Sequence, residues 1–189
     1  MVFQFLALVI LILFYGIYVG KMIQQRKQGI KTDQMAFGRK DFKLFLNELF
    51  LKIMSCGIII LELFFILQNN AYFFNFVRWG GVILGFIGVL LFLLSVKTMD
   101  SSWRAGIPEK DEIKIIIYGI YSFSRNPAFL GFYFVYIAIL LLFFDFVLLI
   151  FTLLTIILFH LQILQEEKYL ANVFGEEYRD YSKRVRRYF

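Results

Sequence analysis

The chain of 189 residues contains one cysteine, one histidine and two prolines, and only 18% of its residues are charged. The lone Cys56 excludes an intramolecular disulfide framework and any metal site built on paired thiolates. A single histidine, His160, with no cysteine near it excludes the usual zinc ligand sets, and there is no HExxH segment. So little proline, with 13 glycines, leaves no disordered or collagen-like stretch. The sequence also lacks a phosphate-binding glycine-rich loop, a GxSxG elbow, and the context of a nucleic-acid-binding module around its basic residues. The low charge argues against an ordinary water-soluble globule, in which roughly 25% of residues are charged.

What the chain has in abundance is apolar surface: 60% of residues are hydrophobic and 20% aromatic, 25 of them Phe. Five apolar runs, at 3–19, 44–67, 76–96, 128–144 and 146–164, have the length of membrane spans. They predict an all-α integral membrane protein with five transmembrane helices. The runs at 3–19 and 128–144 are the shortest, reaching about 26 Å against a hydrocarbon core of ~30 Å.

The net charge of +6 is explained by topology. Seven basic residues, Lys21 to Lys43, lie between the first two runs, and Arg78 alone stands at the next connection. Five more, Lys97 to Arg125, precede the fourth run, none lies between the fourth and fifth, and six, Lys168 to Arg187, follow the fifth. By the positive-inside rule this alternation predicts an outer N-terminus and a cytoplasmic C-terminus. The first basic residue, Lys21, follows the first run, which therefore reads as an N-out anchor rather than a secretory signal. The polar segments 97–127 and 165–189 then face the cytoplasm. Little more than Asp145 separates the last two runs, so they form a tight hairpin with its cytoplasmic ends side by side. The expected organisation is one membrane domain, 1–189, with a two-span part at 1–75, a core at 76–189 and a helical cytoplasmic tail.

The hairpin ends carry the most polar motifs. The first is Tyr118-Gly119-Ile120-Tyr121-Ser122-Phe123-Ser124-Arg125-Asn126-Pro127-Ala128-Phe129-Leu130-Gly131. Pro127 suits a first helical turn and Asn126 or Ser124 can cap it, which puts backbone N–H groups and a positive dipole end beside Arg125, a site for a carboxylate or phosphate. A positive-inside Arg before a plain helix start accounts for the same residues. The second is His160-Leu161-Gln162-Ile163-Leu164-Gln165-Glu166-Glu167, whose spacing predicts two polar stripes on one helix, His160 with Glu167 and Gln162 with Glu166. An intramembrane His faces a bundle interior or a wet cavity, or bonds to a neighbouring helix. Glu48 and Lys52 are spaced as a helix-surface ion pair, and Glu62 is expected at the outer interface. Gly80, Gly81, Gly85 and Gly88 predict close helix packing.

Together these motifs resemble the isoprenylcysteine carboxyl methyltransferase family, within the wider group that includes the membrane phospholipid methyltransferases. The resemblance runs from Arg78 to Phe189 through Ser102-Trp103-Arg104-Ala105-Gly106-Ile107, Gly119-Ile120-Tyr121, Arg125 to Gly131, Glu166-Glu167, and Phe174-Gly175-Glu176-Glu177-Tyr178-Arg179-Asp180-Tyr181. It implies S-adenosylmethionine binding at the cytoplasmic face and methyl transfer to a lipophilic acceptor that enters from the bilayer. The implied cofactor positions are Ile113, Lys114, Ile115, Ile116, Tyr121, Asn126, Pro127, Ala128, Phe129 and Glu167, with Arg125 at the cofactor carboxylate. The paired glutamates close the site, Glu166 nearer the methyl than Glu167. Asn126, Phe129 and Gln162 stand where the family has His, Tyr and, in eukaryotic members, Arg, and the tail Val185-Arg186-Arg187-Tyr188 lacks a Pro.

The protein's part in such a transfer is positioning. A carboxylate acceptor needs no base, whereas an amine would take one from Glu166 or His160. Gln162 and Glu166 are the expected acceptor contacts, and Tyr178, Tyr181 and Arg184 the expected lid. The expected acceptor is an isoprenylcysteine-like carboxylate, with no nucleic acid and no metal. A phospholipid amine, a small transporter subunit and a non-catalytic scaffold are the alternatives.

Overall fold

The computed structural model describes residues 1–38, 40–69, 72–107 and 114–189. Its helices are α1 (Val2–Lys27), α2 (Phe42–Gln68), α3 (Asn75–Met99), α4 (Pro127–Leu142), α5 (Phe146–Phe174) and α6 (Glu176–Arg184), with single 3₁₀ turns at Asp100–Ser102 and Gly119–Ser122. No strand occurs among the described residues; one isolated bridge joins Asp33 to Ala105. By length and apolarity four helices can cross a membrane, α1, α2, α3 with its 3₁₀ extension, and α5.

The fourth of the five expected spans is not among these four and forms a shorter apolar helix. Its helix, α4, has 16 residues, about 24 Å at 1.5 Å per residue, and stops at Phe143. The Leu142 carbonyl at that end accepts a hydrogen bond from Arg78 Nε at 3.1 Å. α5 exceeds its apolar run, continuing past Leu164 to Phe174. Its start is capped by Asp145, whose carboxylate accepts from Val147 N at 2.7 Å, so the hairpin turn is as tight as the spacing required.

α4 is the buried centre of the bundle and packs most extensively on α3. Glycine makes this contact possible: a Cβ on Gly88 would lie 2.9 Å from the Gly131 carbonyl, and one on Gly131 would lie 2.9 Å from both the Gly88 carbonyl and Phe92 Cβ. Gly81 and Gly85 continue the seam, whereas Gly80 faces open space. Phe14, Phe92, Phe132 and Phe159, from α1, α3, α4 and α5, fill the adjoining core with ring centroids 4.6–5.3 Å apart.

The two-span part is not set apart from the rest. Thr32 O accepts from Ala105 N at 3.0 Å and Ala105 O accepts from Gln34 N at 2.8 Å, which docks the segment after α1 onto the one after α3. Gln25 secures the join, donating to Trp103 O at 2.9 Å and accepting from Thr32 Oγ1 at 2.6 Å. Gly106 sits there at φ +87°, with the Met35 backbone nitrogen 2.9 Å from where a Cβ would stand. α2 packs against α5, so both N-terminal helices reach the hairpin.

Candidate active site

At the polar end of the bundle, where α1, α3 and α5 end and α2 and α4 begin, the helices enclose a cavity of about 580 Å³. Arg125, Asn126, Glu166, Tyr178 and Tyr181 are among its polar lining, and Phe92, Phe132, Tyr136 and Phe159 among its aromatic lining. Of the candidate cofactor positions, Lys114, Ile115, Ile116, Tyr121, Arg125, Asn126, Ala128 and Phe129 line it. Pro127 is the first residue of α4, buried beside that lining, and Ile113 lies outside the described residues.

The two stripes of α5 separate. Gln162 and Glu166 line the cavity, joined by a hydrogen bond from Gln162 Nε2 to Glu166 Oε1 at 3.1 Å. His160 and Glu167 do not line it; both hold the C-terminal tail. The His160 ring bonds the Tyr188 hydroxyl through Nδ1. Glu167 takes Arg187 in a two-pronged contact, Nη2 at 2.8 Å and Nε at 3.1 Å, together with Arg125 Nη2 at 3.3 Å and Asn126 Nδ2 at 3.0 Å. Such bidentate charged contacts are directional and strong. The Glu167 carboxylate also raises the Arg187 guanidinium above its ordinary value. The tail backbone closes the arrangement, with Arg125 N donating to Arg186 O at 3.0 Å.

The start of α4 differs from the expected cap. Asn126 occupies the cap position but no side chain caps the helix; its amide is spent on Glu167 and on Arg187 O, while Ser124 Oγ accepts from Asn126 N at 3.2 Å. Arg125 Nε is buried with no partner among the described residues. Tyr178 and Tyr181 on α6 are buried and line the cavity, whereas Arg184 is exposed and, among the described residues, bonds to Asp180 O of its own helix. Gly175, at φ +55°, makes the break between α5 and α6. Tyr181 donates to Tyr121 O at 2.6 Å; burial pushes its phenol up to about 12 and raises those of Tyr121 and Tyr178 as well, so all three stay protonated at neutral pH.

The N-terminal helices supply walls that the sequence did not reveal. Tyr15, Tyr18 and Met22 on α1, and Leu51, Ser55, Cys56 and Ile59 on α2, line the cavity, as do Asp33 and Met35. The only signal was a pair of tyrosines one turn apart in an apolar run. The expected Glu48–Lys52 pair is not made. Lys52 pairs with Asp33 at 2.6 Å, and Glu48, wholly buried, pairs with Lys40 and accepts from Ala36 N at 2.8 Å, Ile107 N at 3.2 Å and Gln162 Nε2 at 3.3 Å. A helix-surface geometry lost to folded-back loops that bring better-placed partners. Glu62, expected at an interface, is also wholly buried.

Fold and site define an integral membrane protein whose helices enclose an amphipathic cavity, polar at one end and apolar within. Residues 81–172 match the isoprenylcysteine carboxyl methyltransferase (ICMT) family, the one the motifs resemble, over most of α3, all of α4 and most of α5. It is a family of membrane methyltransferases. No curated protein matches the chain.

Proposed function

We propose that the chain is an S-adenosylmethionine-dependent methyltransferase acting on a lipophilic acceptor at the cytoplasmic membrane face, with five spans, an outer N-terminus and a cytoplasmic tail. The acceptor proposed first is the carboxylate of an isoprenylcysteine-like group. The observation that carries this reading is the continuity of one cavity from Arg125, Glu166 and Tyr178 to the apolar wall of Phe132, Tyr136 and Phe159. A charged donor and a greasy acceptor can each enter such a cavity from its own phase.

The residues present fit the cofactor. The unpartnered Nε of Arg125 and the uncapped start of α4 at Ala128 and Phe129 suit a carboxylate, and Glu166 suits a cation. The volume lies within the roughly 300–1,000 Å³ typical of small-molecule sites. S-adenosylmethionine held there would supply a methyl on sulfonium sulfur, open to displacement by a lone pair of the acceptor. Glu166, held by Gln162, fixes the angle of approach, and Tyr178 and Tyr181 exclude water. Glu167 and His160 act on the lid and tail, and through them on access to the site.

One observation favours a second acceptor. Glu166 lines the cavity with its carboxylate held by Gln162, which suits a lipid amine whose proton Glu166 takes. Calorimetry on detergent-purified protein tests the cofactor: saturable heat with S-adenosylmethionine, lost in Arg125→Ala and Glu166→Ala, is expected, and no heat with either the cofactor or its demethylated product ends the methyltransferase reading. Labelled cofactor offered with a small isoprenylcysteine and, in parallel, with phosphatidylethanolamine decides between the acceptors.

A further inference from the structure

A carboxylate that binds at Arg125 meets another already there. Glu167 is one negative charge facing two guanidiniums, and it holds them unequally. Arg187 grips it with two nitrogens, Nη2 at 2.8 Å and Nε at 3.1 Å. Arg125 reaches it through Nη2 alone, 3.2 Å from one oxygen and 3.3 Å from the other. The short two-pronged contact is the stronger of the two. Arg125 spends little elsewhere: Nη1 stands 3.5 Å from Ser182 O, at the limit of a hydrogen bond, and its buried Nε has no partner among the described residues. Asn126 Nδ2 adds a donor to Glu167 at 3.0 Å but no charge.

Arg125 lines the cavity, whereas Arg187 and Glu167 do not. Tyr178, which also lines it, is within electrostatic reach of all three. Two cations and one anion leave one positive charge beside the cavity, and because Arg125 and Glu167 are largely buried, solvent screens it weakly. Without Arg187, Glu167 has Arg125 as its one counterion in this cluster, and a buried carboxylate left short of partners draws on whatever cation remains. The surplus charge is then gone. Glu166, bonded to Gln162 on the other stripe, is left for the cation of the cofactor. We propose that Arg187 is a positioning residue for the cofactor carboxylate: by satisfying Glu167 it keeps the Arg125 guanidinium available to that carboxylate. Arg187 acts through Glu167 and touches no ligand. The proposal rests on the methyltransferase reading for the identity of the carboxylate.

Two ligands test it by calorimetry on the purified full chain: S-adenosylhomocysteine, and the aminopropyl thioether of adenosine, which is the same molecule without its carboxylate. The ratio of their dissociation constants isolates what the carboxylate contributes, since a general loosening of the fold weakens both alike. Arg187→Ala is expected to reduce the preference for the carboxylate-bearing ligand about tenfold, and Arg187→Lys, which keeps the charge, to retain most of it. In a Glu167→Gln background no carboxylate of the protein competes for Arg125 in this cluster, and there Arg187→Ala is expected to leave the preference unchanged. An equal loss of both ligands in Arg187→Ala makes the residue merely structural and overturns the proposal. A preference that survives Arg187→Ala overturns it too, and so does a tenfold loss that persists in the Glu167→Gln background. If neither ligand binds the unaltered protein, the methyltransferase reading falls and takes this one with it; if both bind and the preference ignores Arg187, the proposal falls alone.

Discussion

Glu167 and Glu48 are the two carboxylates on which the polar end depends, and neither donates or accepts anything in the proposed reaction. Glu167 gathers Arg125, Asn126 and Arg187. Arg187→Ala is expected to cost about 1–3 kcal/mol and to open the tail to trypsin at Arg184 and Arg186, read as faster cleavage in detergent. Glu48 is buried against Lys40 and also holds Gln162. Lys40→Met strands a buried charge and is expected to lower stability by about 3 kcal/mol, read as a drop in thermal midpoint. Adding Glu48→Gln removes that charge while keeping its acceptor oxygen, and is expected to restore most of the loss. If the double variant is no more stable than Lys40→Met alone, the pair is not what burial makes it.

Among the elements, the α3–α4 seam and α5 do the positioning. Gly131→Ala puts a methyl into the Gly88 carbonyl and Phe92, and an overpacked seam of this kind costs about 1–3 kcal/mol. Gly80→Ala, which meets nothing within 4 Å, is expected to be neutral or to stabilise by up to about 1 kcal/mol, so the pair measured together separates packing from helix propensity. α5 presents one stripe to the cavity and the other to the tail. Hence Glu166→Gln is expected to weaken cofactor binding with the thermal midpoint nearly unchanged, and His160→Ala to loosen the tail around Tyr188 with a smaller effect on cofactor heat. Calorimetry and limited proteolysis on the same preparations check both.

For the whole molecule, the proposed topology makes a prediction that can be read in intact cells. In a Cys56→Ala background, Ser182→Cys on α6 is expected to react with a membrane-impermeant maleimide only after permeabilisation, whereas Val2→Cys reacts without it. The opposite pattern reverses the proposed face of the site.

The apolar helices, the tight hairpin and the polar motifs at one end were legible in the sequence because each rests on local rules: apolar run length, the brevity of the connection at Asp145, helix periodicity and the chemistry of Pro127 at a helix start. The order of motifs from Ser102 to Tyr181 pointed to the family that residues 81–172 match. What stayed hidden depends on pairs far apart in the chain. Spacing set Glu48 beside Lys52, and only the folded loops gave each its actual partner, Lys40 and Asp33. Spacing drew two stripes on α5, and only the return of the tail gave one of them to Arg187 and Tyr188. Apolar run length and the late first basic residue made α1 an anchor, and only the docking of Thr32 and Gln34 on Ala105 made α1 and α2 walls of the cavity. Hydrophobicity fixes which segments leave water, since it is a property of each residue; which polar side chains meet within the bundle is fixed by three-dimensional packing, since a buried charge takes whatever partner the fold brings within reach.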